Sequence, residues 1–204
     1  MLGRDELADV AGDVRSFLRT IDAEDDEDIS IAEACERATG FGPAFVGMRQ
    51  EARLEPVDGG SQVQVRKGTA PERARWLAGH ELGEWFYRLV GYDQPDIDAR
   101  CDAFGAALVC PEYAFRSAMR RVGHRVHELA ATFATTQSVA LLRVGELSGR
   151  PVLLLRPAGA IARGDEFEWP RTSTLVRALG EGRAACHPLR INDEPDRWGL
   201  MARR

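Results

Sequence analysis

The stretch RARWLAGHELGEWFYRL, Arg73–Leu89, contains His80-Glu81-Leu82-Gly83-Glu84. It opens like the zinc-binding helical pattern H-E-x-x-H but carries Glu where the second His stands. In a helix, residues i and i+4 share a face about one turn apart, so His80 and Glu84 can face one cation. Glu81 projects beside them, where a general base for a metal-bound water belongs. Gly83 costs a helix roughly 1 kcal/mol against Ala. A glycine at such a position removes a side chain where another group approaches closely. A simpler reading stands beside this one: Glu84 is spaced to pair with Arg88 on an ordinary helix surface. A second H-E-L, His127-Glu128-Leu129, is followed by Ala130 and Ala131. It offers no ligand at i+4 and reads as helix surface.

Outward from this stretch the signals are local. Thr69 and Glu72 have capping-box spacing, and Pro71 falls in the first turn, where its missing N–H costs nothing. The helix is predicted to run to about Val90 and stop at Gly91. Before it, AFVGMRQEARLEPV and SQVQVRKG alternate in hydropathy around DGG, the pattern of a small antiparallel hairpin or meander. Upstream, Leu7, Val10, Val14 and Leu18 recur at helical spacing across residues 5–20. The acidic run Asp22–Asp28 reads as a solvated linker. Ser30 and Glu33 then form a capping box before a helix that Gly40 closes. Downstream, GYDQPD leads to a helix over Asp96–Val109, halted before Pro111. Further helices are expected over 112–121 and on either side of Thr135 and Thr136. The last fifty residues read as short strands (PVLLLRP, DEFEWP, CHPLRI, RWGLMARR) around one helix, STLVRALGEG.

A catalytic zinc takes three protein ligands plus water, so the motif helix needs a third donor from elsewhere. The next helix offers Asp96, Asp98 and Asp102, and the last two lie one turn apart on one face. RARWLAGHELGEWFY followed by DARCDAFGAALVCPEYAF resembles the ImmA/IrrE family of metallopeptidases. In that family an H-E-L-G-H helix is followed by an acidic residue and an A-N/D-x-F-A-A-x-L-L-M-P-like helix. The strands and the PERAR entry before the motif, and HELAATFATTQSVALLRVGEL after it, also resemble that family, over about residues 30–150. The resemblance implies a zincin-like, mostly helical core. It places the first metal ligand on His80, the general base on Glu81 and the second ligand on Glu84. The third falls on Asp98, with Asp102 as the alternative; an offset of two residues would instead meet Arg100, which cannot ligate. The implied cofactor is a divalent metal, Zn or Mn, and the implied activity is hydrolysis of a regulatory, repressor-type protein. Tyr87, His124 and His127 are candidate donors to an oxyanion. One His with two carboxylates cancels the charge of a divalent ion, which weakens it as a Lewis acid and favours harder metals. The alternative is therefore a pseudoenzyme that binds a protein partner without cleaving it.

Composition sets the frame. The 204 residues, 44% hydrophobic and 29% charged, fit one α+β globular domain with appendages. The expected divisions are an N-terminal helix and linker over 1–29, the metallopeptidase-like domain over 30–150, and a β-rich region over 151–204. A net charge of −5 argues against broad nucleic-acid or anionic-membrane binding, although RSAMRRVGHR concentrates four arginines. The segment around 125–148 has the outline of a helix-turn-helix, but its second helix offers only Gln137, Ser138 and Arg143 as polar contacts and reads as a packing element. Cys35, Cys101, Cys110 and Cys186 show no paired spacing, as in reduced cytoplasmic proteins. No signal-peptide h-region and no bilayer-length apolar run occurs, so a cytoplasmic protein is expected.

Overall fold

The computed structural model describes residues 2, 4–23, 29–148, 152–156, 159–163, 186–190 and 198–202, with side chains described to residue 148. Part of the acidic run, the DEFEWP stretch and the expected helix STLVRALGEG lie outside the described residues. The chain divides after Pro111 into two compact units, so the span 30–150 draws on both.

In the first unit, α1 (Arg4–Thr20) buries Val10, Val14 and Phe17, the face set by its apolar repeat. The capping box of α2 (Ile31–Thr39) forms as its sequence requires: the Glu33 N–H donates to Ser30 Oγ at 3.1 Å. Gly40 closes the helix in the left-handed region at φ 81°, a conformation glycine adopts without steric cost. Strands β1 (Ala44–Val46), β2 (Ala52–Val57) and β3 (Gly60–Arg66) follow. The hairpin pairs β2 antiparallel to β3, with Leu54 opposite Val63. The sheet is nevertheless mixed, in the order β1-β3-β2, because β1 runs parallel to β3. The expectation of a wholly antiparallel sheet is corrected here. The irregular segment 47–51, bent at 49–51, breaks the alternating stretch and leaves β1 on the far side of β3.

Helix α3 (Pro71–Leu89) holds the motif, and α4 (Ile97–Val109) packs along it. Pro71 occupies the first turn as expected, but Ala70 is the N-cap residue and no side chain caps the helix. Thr69 Oγ1 is buried without a hydrogen-bond partner, so the expected Thr69–Glu72 box does not form; the helix starts one residue later than that box requires. The two helices touch backbone to backbone. A Cβ on Gly79 would stand 3.0 Å from Gly105 Cα, and one on Gly105 would stand 2.8 Å from the His80 backbone nitrogen. A Cβ on Gly83 would meet the Phe104 side chain at 3.1–3.2 Å. The close approach inferred at Gly83 is thus a ring of α4. Phe17 of α1 seals this layer edge-on, with its ring centroid 5.3 Å from Phe104 and 6.1 Å from Phe86.

In the second unit, α5 (Glu112–Val122), α6 (Val126–Thr132) and α7 (Gln137–Ser148) pack together, with Phe115 and Phe133 5.0 Å apart between ring centroids. Strands β4 (Val152–Arg156), β5 (Gly159–Arg163), β6 (Cys186–Arg190) and β7 (Trp198–Ala202) form an antiparallel sheet in the order β5-β4-β7-β6. The described architecture is α+β and mostly helical. No described helix is long and apolar enough to cross a membrane.

Candidate functional site

The motif residues sit mid-way along α3, opposite α4, where the Gly79–Gly105 contact holds the two backbones close. That closeness brings His80 to Asp102: the ring Nδ1 lies 2.9 Å from Asp102 Oδ1. Asp102 is the α4 carboxylate that meets the motif, while Asp98, one turn earlier, is exposed. Burial pulls the His80 pKa down, but the hydrogen bond and charge of Asp102 outweigh it, helped by Glu81 and Glu84, and the net displacement is upward. The Trp76 ring packs 5.9 Å from the imidazole. Its other close neighbour is the Arg73 guanidinium, 4.5 Å from the ring centroid.

Glu81 is 6% exposed, and its Oε2 has no hydrogen-bond partner. Burial pushes its carboxyl up to about 7, and hydrogen bonding and charge from Glu84 add to the rise, against the pull of His80 and Arg88. Two carboxyls crowded one turn apart favour keeping a proton between them. Glu84 in turn is ion-paired with Arg88, the arrangement that the helix-surface reading anticipates.

Four carboxylates act on the neighbouring thiol of Cys101. Burial raises the Cys101 thiol pKa, and the charges of Glu84, Asp102, Asp98 and Glu81 add to the rise. Charge acting at a distance is not coordination, however. Among the described residues no three His, Cys, Asp or Glu side chains are gathered so as to hold a metal ion. A zinc ligand set requires three atoms within about 2.0–2.2 Å of one point. Here Asp102 faces His80, Glu84 faces Arg88, and Glu81 is sunk beneath them. Among the described residues these side chains are not gathered about one point as the ligand set of a divalent ion would be.

Of the candidate oxyanion donors, Tyr87 is 1% exposed and donates its hydroxyl to Asp13 Oδ2 of α1 at 2.9 Å. That bond locks α1 to α3 and leaves the hydroxyl committed. His124 and His127 belong to the second compact unit. Arg100, the position reached by the alternative offset, is paired with Asp96 at 2.9 Å. In the helix-turn-helix outline, every residue of α7 is buried or half-buried, Arg143 included. A reading helix needs exposed side chains to reach base edges, and α7 offers none. The sequence reading did not single out Gly79, Gly105 or Asp13. The first two announce themselves only weakly, through small residues four apart in GHELG and in a run of alanines.

No protein-family model and no curated protein matches the sequence. Among solved structures the chain is similar to a Mycobacterium tuberculosis transcriptional regulator, with a TM-score of 0.65 and 12% identity over 98% of this chain and 92% of that one. At that identity the similarity concerns the fold.

Proposed function

We propose that this chain is a non-hydrolytic relative of the ImmA/IrrE metallopeptidases, built on their zincin-like core and acting as a protein-binding regulator. Its partner on this reading is a repressor-type transcription protein. The observation that carries the proposal is the donor arrangement. Of the residues assigned to the metal, His80 holds Asp102 through Nδ1, Glu84 is ion-paired with Arg88 and Asp98 is exposed. Glu81, assigned as the base, is buried beside Glu84. No three donors are gathered among the described residues. The similar fold of a protein described as a transcriptional regulator is in keeping with a regulatory role. A second reading, peptide hydrolysis with Glu81 as base, draws support from its carboxyl being displaced to about 7, where general bases work best.

Metal analysis separates the two. Protein purified without chelator and titrated with Zn and with Mn at neutral pH is expected to hold neither at stoichiometric level. One bound ion per chain, lost in His80→Ala, would overturn the non-hydrolytic reading, the more so if a repressor is cleaved and Glu81→Gln abolishes that cleavage.

A further inference from the structure

We propose that the cleft between α1, the end of α3 and the start of α4 binds a small organic anion, a carboxylate or phosphate on an apolar body. The oxyanion is received by Arg15 and Arg100, and the body lies along Ala8, Gly12 and Val90. None of these residues belongs to the His80 motif, so the site stands whether or not that motif holds a metal.

The cleft has a volume of about 650 Å³ and is lined by α1 together with Tyr87, Val90, Tyr92 and Arg100, all within the first compact unit. Small-molecule sites run from roughly 300 to 1,000 Å³. Two guanidiniums reach it in different states. Arg100 is fixed: its Nε donates to Asp96 Oδ2 at 2.9 Å, and its guanidinium carbon stands 4.8 Å from the Tyr92 ring centroid. Its side chain is only 12% exposed, yet Nη1 reaches Asp13 Oδ2 only at 3.7 Å, beyond hydrogen-bond length. Arg15 is exposed and makes no ion pair or hydrogen bond among the described residues. It lies back over Gly12, where a Cβ would meet its Nη2 at 3.8 Å.

Charge then selects the occupant. Of the ionised side chains in the lining, Arg15, Arg19 and Arg100 outnumber Asp9 and Asp13. Asp13 is already committed, accepting the Tyr87 hydroxyl and facing Arg100. This local positive surplus occurs in a chain of net charge −5. Guanidinium N–H pairs take carboxylate and phosphate oxygens side by side. Because Asp96 and Tyr92 already hold Arg100, binding there costs little side-chain entropy. Ala8, Gly12 and the half-exposed Val90 offer an apolar strip beside these donors. An organic anion buries that strip, whereas an inorganic ion leaves it wet.

The test titrates the full chain, 15N-labelled, with benzoate and with phenyl phosphate, which separate the two oxyanions. Benzamidine and inorganic phosphate are the controls. Saturable amide shifts are expected at residues 8–19 and 90–100 with at least one organic anion, and the tighter of the two names the head group. Arg15→Gln should weaken binding at least about fivefold, as loss of a charge-assisted hydrogen bond does. Gly12→Leu should abolish it with the fold retained: a Cβ there makes only an ordinary contact with Arg15, and leucine is the better helix former. Amide shifts elsewhere in the spectrum report whether each variant is folded. Absence of saturable shifts with both organic anions, an equal response to benzamidine, or equal affinity for inorganic and phenyl phosphate overturns the proposal. Undiminished binding in either folded variant overturns it as well.

Discussion

Glu81 is the residue whose chemistry departs most from its sequence neighbourhood, and it makes a testable mark on stability. Its carboxyl titrates near 4.5 in an unfolded chain and about 7 in the fold. Between those values the folded state keeps a proton the unfolded state has released, so stability falls as pH rises through that window and stays lower above it. Glu81→Gln should therefore leave stability at pH 4.5 nearly unchanged and raise it by roughly 1–3 kcal/mol at pH 8. Denaturant melts across pH check this; a variant that keeps the wild-type slope between 4.5 and 7 would refute it. His80 acts in the same direction over a higher range. Its raised pKa means the Asp102 bond stabilises fully below about 6.5 and is lost as pH climbs through the folded value, and this decline should persist in Glu81→Gln. The neighbours of these residues were partly legible. The i, i+4 rule offers Glu84 both a metal and Arg88, and it puts Asp98 and Asp102 on one face of α4. Periodicity ranks neither pair, because the choice depends on how far α3 and α4 are offset along each other.

At the scale of elements, the α3–α4 crossing explains why the motif helix spends glycine twice within five residues. Gly79 and Gly83 remove side chains on the side facing α4, so Gly105 and Phe104 come within contact. Gly105→Ala puts a Cβ 2.8 Å from a helix backbone nitrogen, which only a shift of the helices relieves. It should cost about 2–4 kcal/mol and separate His80 from Asp102. Calorimetry would show the lost stability, and the His80 titration shift should move back toward the ordinary imidazole value. Little change in either would mean that the crossing tolerates spreading. Local signals succeeded where the determinant is local. Ser30 caps α2 and Gly40 ends it, since those interactions span only a few residues. They failed at Thr69, where a start one residue later leaves the hydroxyl uncapping and buried, and at β1, whose partner is the second strand of the hairpin and not its sequence neighbour β2.

At the scale of the whole molecule, the division after Pro111 places the complete aromatic layer of Phe17, Phe86 and Phe104, together with the motif residues, within one unit. A fragment ending at Pro111 should consequently fold alone, with helical circular dichroism and one cooperative unfolding transition, as chains of about 110 residues with their own core do. A fragment lacking a cooperative transition would show that the division is not one of independent stability. The sequence by itself determined most helix positions, the β2–β3 hairpin and the α+β class, because hydropathy period, caps and turn residues act over a few positions. It also marked His80 and Glu84 as one helical face with Glu81 beside it. Only the tertiary structure decided that Asp102 meets His80, that Tyr87 is tied to Asp13, and that Glu84 pairs with Arg88. Those outcomes depend on the separation and offset of packed helices, which contacts distant in sequence impose and no local pattern encodes.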